Sequence, residues 1–150
     1  MSMTTLLASA ARTASGNSGA LPTTLVDNPE LIRSARFLLK VTAAATEAGD
    51  TLDVYVQSSY DETNYDDVVH FTQVLGNGGA KTFIAEWQRD VSPESELHAP
   101  QDAAIAAGVI QGGKLAAPLR IKWVIVDVAT FGNQSFTFSV QAEFEYRRRR

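Results

Sequence analysis

From Arg36 onward, apolar and polar residues alternate with a period of two. Phe37, Leu39, Val41 and Ala43 share one side, with Leu38, Lys40 and Thr42 opposite. Leu52, Val54, Val56 and Ser58 alternate with Asp53, Tyr55 and Gln57. Val69, Phe71 and Gln73 alternate with His70, Thr72 and Val74, and Phe83, Ala85 and Trp87 with Ile84, Glu86 and Gln88. Leu119, Ile121, Trp123 and Ile125 alternate with Arg120, Lys122, Val124 and Val126. The cleanest run puts Phe136, Phe138, Val140, Ala142 and Phe144 against Thr137, Ser139, Gln141, Glu143 and Glu145. Successive strand side chains point to opposite faces, so this pattern predicts half-buried antiparallel strands.

Turn signals separate the runs: Ala48-Gly49-Asp50, Gly76-Asn77-Gly78-Gly79, Gly112-Gly113 and Phe131-Gly132-Asn133. Only Gln101–Val109 has a mildly helical look, ended by Gly108, and it reads equally as a loop over the sheets. Six short strands at this spacing predict an all-β fold, an antiparallel two-sheet β-sandwich of jelly-roll or Ig-like type.

The first 33 residues differ. They are rich in Ala, Ser, Thr and Gly, and contain Ser15-Gly16-Asn17-Ser18-Gly19. Small side chains bury little, so this is linker chemistry. Asp27-Asn28-Pro29-Glu30 reads as a turn. The expected organisation is an extended N-terminal arm over 1–33, a sandwich over 34–146 and a basic tail over 147–150. A frayed terminus, or a first edge strand at 4–12, would also fit residues 1–33.

Composition narrows the chemistry. The 150 residues include no cysteine and two histidines. That excludes a disulfide framework, a thiolate metal site and a cysteine nucleophile. Thirteen basic residues face 17 acidic ones, for a net charge of −4. Four of the basic residues are Arg147, Arg148, Arg149 and Arg150; without them nine face 17, a body of −8. Seven acids and no Lys or Arg lie between Lys40 and Lys81. An acidic body is a poor polyanion binder, so no direct nucleic-acid contact is expected. No apolar run reaches the length of a membrane span, and no membrane association is expected.

Candidate chemistry is sparse. Ser59-Tyr60-Asp61-Glu62-Thr63-Asn64-Tyr65 resembles the Asp-box hairpin, one residue short and with Thr63 and Tyr65 where Gly and Trp are usual. Its aspartate is expected to accept backbone N–H bonds within the turn. Asp61, Glu62, Asp66 and Asp67 raise a calcium loop, but the spacing is not that of an EF-hand and its glycine is missing. His70 and His98 stand alone, His70 on a strand as a surface or half-buried residue. Gly76–Lys81 lacks Walker spacing, and no Gly-x-Ser-x-Gly elbow occurs. No catalytic residue, metal ligand or cofactor is expected. Trp87 and Trp123 keep phase with apolar neighbours and are read as core. Tyr55, Tyr60 and Tyr65 are the more exposed aromatics, suited to protein contacts or to a sugar. With Leu6, Leu7, Arg12 and Leu25 of the arm and Arg147–Arg150, they make the candidate interaction set. The tail has three readings: a solubilising tail, a weak nucleic-acid contact, or a dock on the acidic face of a neighbouring subunit.

The stretches Ala35-Arg36-Phe37-Leu38-Leu39-Lys40-Val41, Thr51–Asp61, Asn64-Tyr65-Asp66-Asp67-Val68, Phe71-Thr72-Gln73, Leu119–Trp123 and Phe136–Val140 resemble a group of small virion proteins of tailed phages. In those proteins a strand ending in a Gln-Ser-x-Asp hairpin leads through an aromatic-containing turn to a Phe-Thr-Gln strand. The resemblance runs from Ala35 to Tyr146. It implies a non-enzymatic structural part of a phage particle, with capsid decoration (cement) proteins the best fit. Such proteins commonly form trimers whose arms reach neighbours. Expected partners are therefore the major capsid protein or neighbouring virion subunits, in a virion assembled in the host cytoplasm. Neck and tail-tube proteins, and outside the resemblance a carbohydrate-binding module, are the alternatives.

Overall fold

The alternating run at the C-terminal end of the chain builds an inner strand of one sheet. The structure, a computed structural model, describes residues 3–26, 28–90, 105–113, 115–128 and 134–147. Two antiparallel sheets pack face to face. The first is ordered β1 (Thr4–Arg12), β10 (Phe136–Tyr146), β3 (Ile32–Ala43) and β7 (Lys81–Gln88). The second runs β2 (Gly16–Asn17), β9 (Leu119–Val126), β4 (Thr51–Ser59), β5 (Tyr65–His70) and β8 (Val109–Ile110), with β6 (Val74–Leu75) beside β4.

The predicted faces are the observed ones along the central strands. Phe138 lies opposite Val41, Val140 opposite Leu39 and Ala142 opposite Phe37. Within the facing sheet, Val54 of β4 lies opposite Trp123 of β9 and Val56 opposite Ile121. These inward side chains are buried, Trp123 only partly, and Trp87 is fully enclosed at the β7 side. Each fully buried Val, Leu, Ile or Phe contributes about 1.5–3 kcal/mol relative to exposure, so this layer dominates stability.

The arm expected over 1–33 is not what forms. Thr4–Arg12 pairs with β10 as an edge strand, and Gly16–Asn17 pairs with β9 in the opposite sheet. Ser18 N donates to Ile121 O at 2.8 Å and Leu21 N to Leu119 O at 2.7 Å. Leu6 is 4% exposed, and Leu21 and Val26 are also buried. The physical reason is complementarity. A bare β10 edge would leave a row of main-chain donors and acceptors unpaired. The small residues Ala8, Ala10 and Ala11 allow the two register shifts by which β1 follows that edge. The sandwich therefore begins near Thr4, not at residue 34.

Arg12 marks the crossing between sheets. Its guanidinium donates to the carbonyls of Ala8, Ala10 and Phe138 at 2.9, 3.1 and 2.9 Å. It also lies over the rings of Phe138 and Trp123, at 4.6 and 4.9 Å. The planar fork and delocalised charge suit both contacts. Trp123 Nε1 donates to Ala14 O at 2.9 Å, tying the crossover to β9.

One further expectation is corrected, and one left open between two readings is narrowed. The run at 69–74 is not one strand: β5 ends at His70 and β6 resumes at Val74. Val69, Phe71 and Val74 are all buried. Their spacing of two and then three cannot be met by one continuous pleat, so Thr72 and Gln73 loop outward. Of 101–109, read as mildly helical or equally as a loop, residues 101–104 lie outside the described set. The described part is a turn leading into the two-residue strand β8.

Because Leu6 belongs to the core, Leu6→Ala should lower unfolding free energy by about 2–5 kcal/mol in chemical denaturation. Removing residues 1–12 should lower it further. An unchanged midpoint in the truncated chain would show that β1 adds nothing to the body.

Candidate interaction face

Most outward residues of β4 are buried along with the inward ones, which simple alternation does not predict. Tyr55, Gln57 and Ser59 are all enclosed. Two things cover them. Long polar side chains from β5 and β9 fold over the sheet, and the segment 105–111 starts against the outward side chains of β5 at Ile105 and then pairs along the edge of β5. Gln111 N donates to Val68 O at 2.8 Å, and Gly108 N to His70 O at 2.9 Å.

A polar chain runs through this layer. Arg120 Nε donates to Gln57 Oε1 at 2.7 Å, and Gln57 Nε2 donates to Asp67 Oδ1 at 2.7 Å. Ile105 N donates to Asp67 Oδ2 at 3.2 Å. His70 Nδ1 lies 2.7 Å from Ile105 O, and Nε2 lies 2.8 Å from Asp53 Oδ1. Gln73 Nε2 completes the set on Asp53 Oδ2 at 2.9 Å. Buried polar groups are costly unless bonded, and here each member meets a partner. The rings stack into the same layer. Tyr55 lies on His70 with centroids 4.0 Å apart, Lys122 sits 5.6 Å from the Tyr55 ring and Arg120 3.9 Å from that of Tyr65. Burial, with Asp53 and Asp67 nearby, raises the Tyr55 phenol above its ordinary value. His70, expected at the surface or half-buried, is buried, and both ring nitrogens have partners, Ile105 O and Asp53 Oδ1. As arranged, the layer fastens 105–111 to the sheet.

The Asp-box-like hairpin forms by its expected logic. Asp61 Oδ1 accepts from Thr63 N at 2.9 Å and Asn64 N at 2.7 Å, and Asp61 Oδ2 from Asn64 Nδ2 at 2.7 Å. Ser59 Oγ adds a contact at 3.2 Å. The two backbone bonds come first among the causes that hold the Asp61 carboxyl far below the usual carboxylate range. The four acids of this region do not converge as ligands: Asp61 builds the turn and Asp67 joins the network.

The other candidates disperse. Leu6 is core, and Leu7 and Leu25 pack against it partly buried. Arg12 is engaged at the sheet crossing. Tyr55 and Tyr65, expected at the surface, are 9% and 7% exposed, whereas Tyr60 is 56% exposed. A flat aromatic platform of three tyrosines is therefore not present. Arg147 N donates to Leu31 O at 2.7 Å, and its guanidinium reaches Asp90 Oδ1 at 2.9 Å. That ion pair is exposed and worth little alone. Arg148, Arg149 and Arg150 lie outside the described residues, as does His98.

Exposed apolar residues not singled out in the sequence lie at several places: Val109 and Ile110 on β8, Val128, Tyr146, and two positions on the sheets. Ile84 of β7 is 61% exposed and lies opposite Leu38 on the outer face of the first sheet. Leu75 and Val126 are both exposed and flank Thr51 on the second. The signal for Ile84 was present: it is the one large apolar residue on the polar phase of its strand. Compared with family models, curated proteins and solved structures, the chain matches none.

Two outcomes test this layer. Gln57→Leu strands Asp67 and Arg120 without their shared partner and should cost about 1–3 kcal/mol of stability. For Asp61, the folded-state value is depressed, so its contribution is present above the unfolded value and is lost only as pH falls through the lower folded one. The amide resonances of Thr63 and Asn64 should therefore hold their positions as pH drops through ~4, where an ordinary aspartate titrates. Movement of both amides near that pH would contradict the depressed value.

Proposed function

We propose that this protein is a non-enzymatic structural subunit of a tailed-phage particle, a capsid decoration protein that binds the shell and its own copies through sheet edges. The carrying observation is β7. Over Lys81–Glu86, no described strand pairs with its outer edge, and Ile84 stands exposed beside Leu38 on the same strand pair. An edge of that length offers main-chain groups for strand addition, with an apolar side chain to anchor it. Closed symmetry repeats a modest contact until the assembly is stable.

The resemblance to small virion proteins supports the same reading. Its residues fall on β3, β4, the β4–β5 hairpin, β5, β9 and β10, the framework that displays the edges, except Phe71-Thr72-Gln73, which follow β5 outside any strand. The partners are then the major capsid protein and neighbouring subunits, the expected oligomer is a trimer, and the location is the virion. Docking by a free arm is replaced in this proposal by docking through edges, since Thr4–Arg12 is spent within the body.

Light scattering coupled to size exclusion should report a trimer, and Ile84→Lys, an exposed position, should shift it to monomer with unchanged thermal midpoint. Binding to phage shells that lack the protein should fall in parallel. A monomer at all concentrations with no shell binding would overturn the proposal. A larger closed ring would redirect it to the neck or tail.

A further inference from the structure

The turn that joins β3 to β4 meets two other segments at one corner of the second sheet. Asp50 N donates to Glu47 O at 3.3 Å, and Gly76 N donates to Asp50 O at 2.7 Å. From the far end of β9, Val128 N donates to Asp50 Oδ1 at 3.1 Å. The approach is close enough to require glycine twice. A Cβ on Gly76 would collide with the carbonyl oxygen of Glu47. Gly49 has φ +106°, and a Cβ there would lie 2.9 Å from Val128 Cγ2.

This corner gathers three carboxylates. Glu47, Asp50 and Asp127 each bring an oxygen to within 4.8 Å of the others. Clustered acids alone mean little, since exposed ones coexist in water. Asp50 is different: it is 0% exposed, and its Oδ2 accepts no hydrogen bond among the described residues. Neither Asp50 nor Asp127 is ion-paired with a described Lys or Arg. A buried carboxylate oxygen with no donor and two carboxylates close by is unfavourable on desolvation and on repulsion together. A hard divalent cation removes both penalties at once.

We infer that Glu47, Asp50 and Asp127 form a calcium site at the β3–β4 corner. The donors are all oxygen, which selects calcium or magnesium over softer metals. Calcium takes its ligands at about 2.3–2.6 Å, so oxygens on opposite sides of one ion stand almost 5 Å apart. Magnesium demands a tighter octahedron and holds on to its waters, so a corner built of protein carboxylates favours calcium. The ion would lock the β3–β4 turn to the β6 turn and to the end of β9. This site is distinct from the acidic hairpin at 61–67 and does not depend on the assembly role.

The test uses the full chain freed of metal with EDTA and titrated with calcium chloride by calorimetry. One site is expected, with a dissociation constant of about 10⁻⁵–10⁻³ M. At a hundredfold excess over that constant, the thermal midpoint should rise by about 5–10 °C. Asp127→Asn, at an exposed position, should weaken binding by about tenfold or more while the calcium-free midpoint stays put. Asp50→Asn should abolish binding, and Asp127→Asn keeps the test decisive if that variant fails to fold. Asp61→Asn should bind calcium as the unaltered protein does. The inference is overturned by absence of heat at millimolar calcium with equal midpoints in calcium and EDTA. It is equally overturned if Asp127→Asn and Glu47→Gln bind undiminished, or if Asp61→Asn is the variant that loses the ion.

Discussion

A single apolar layer must be filled from both sides at once, and that requirement organises this molecule. Phe37, Leu39 and Val41 of β3 with Phe136, Phe138 and Val140 of β10 meet Leu52, Val54 and Val56 of β4 with Leu119 and Ile121 of β9. These strands come from opposite ends of the chain, so the layer exists only once distant segments pair. Each strand has a strict period of two, and a slip of one residue would turn its whole apolar set to water. Register, faces and the separation of the sheets follow from that one constraint.

The layer leaves edges, and the N-terminal segment deals with two of them. β1 pairs with β10, the chain crosses at Arg12, and β2 pairs with β9. One segment thus ties both sheets together, with the Arg12 guanidinium at the crossing meeting three carbonyls and two aromatic faces. On the far side, β7 keeps an outer edge to which no described strand pairs over Lys81–Glu86. β1, the other outer strand of that sheet, likewise has no described strand on its outer edge, so both edges are available to the assembly role proposed above. The second sheet has a further cover of its own, the polar layer that fastens 105–111 through Asp67 and His70. Together these features describe a sandwich whose exposed large apolar residues lie at several separate places, Ile84 of β7 among them.

Much of this was legible in the residue pattern, and the failures are instructive. The strand at 119–126 falls where alternation puts it, and β10 differs from the expected run by one residue. Trp87 is core, as its phase requires. The break at Thr72–Gln73 is written in the spacing of Val69, Phe71 and Val74, an offset of three in a period of two. The outward residues of β4 were misread because alternation reports which face a side chain takes, not whether something later covers that face. Tyr55, Gln57 and Tyr65 look exposed in the pattern and are enclosed by Arg120, Lys122 and the 105–111 segment. Glu47, Asp50 and Asp127 are similarly invisible in one dimension, since 77 positions separate Asp50 from Asp127 and only the β4–β9 pairing makes them neighbours.

The sequence by itself determined the period-two strands, the all-β class and the side of each strand that faces the core, because those are local consequences of pleat geometry and apolar burial. It also determined the Asp61 turn, whose bonds span only three residues. The tertiary structure alone decided the fate of the first 33 residues, the cover over β4 and the gathering of acids at the β3–β4 corner. Small, polar or charged side chains carry no period that announces a distant partner. Whether Ala-Ser-Thr sequence is an arm or an edge strand depends on an unpaired β10 edge more than a hundred residues away, and only the folded chain brings that edge beside it.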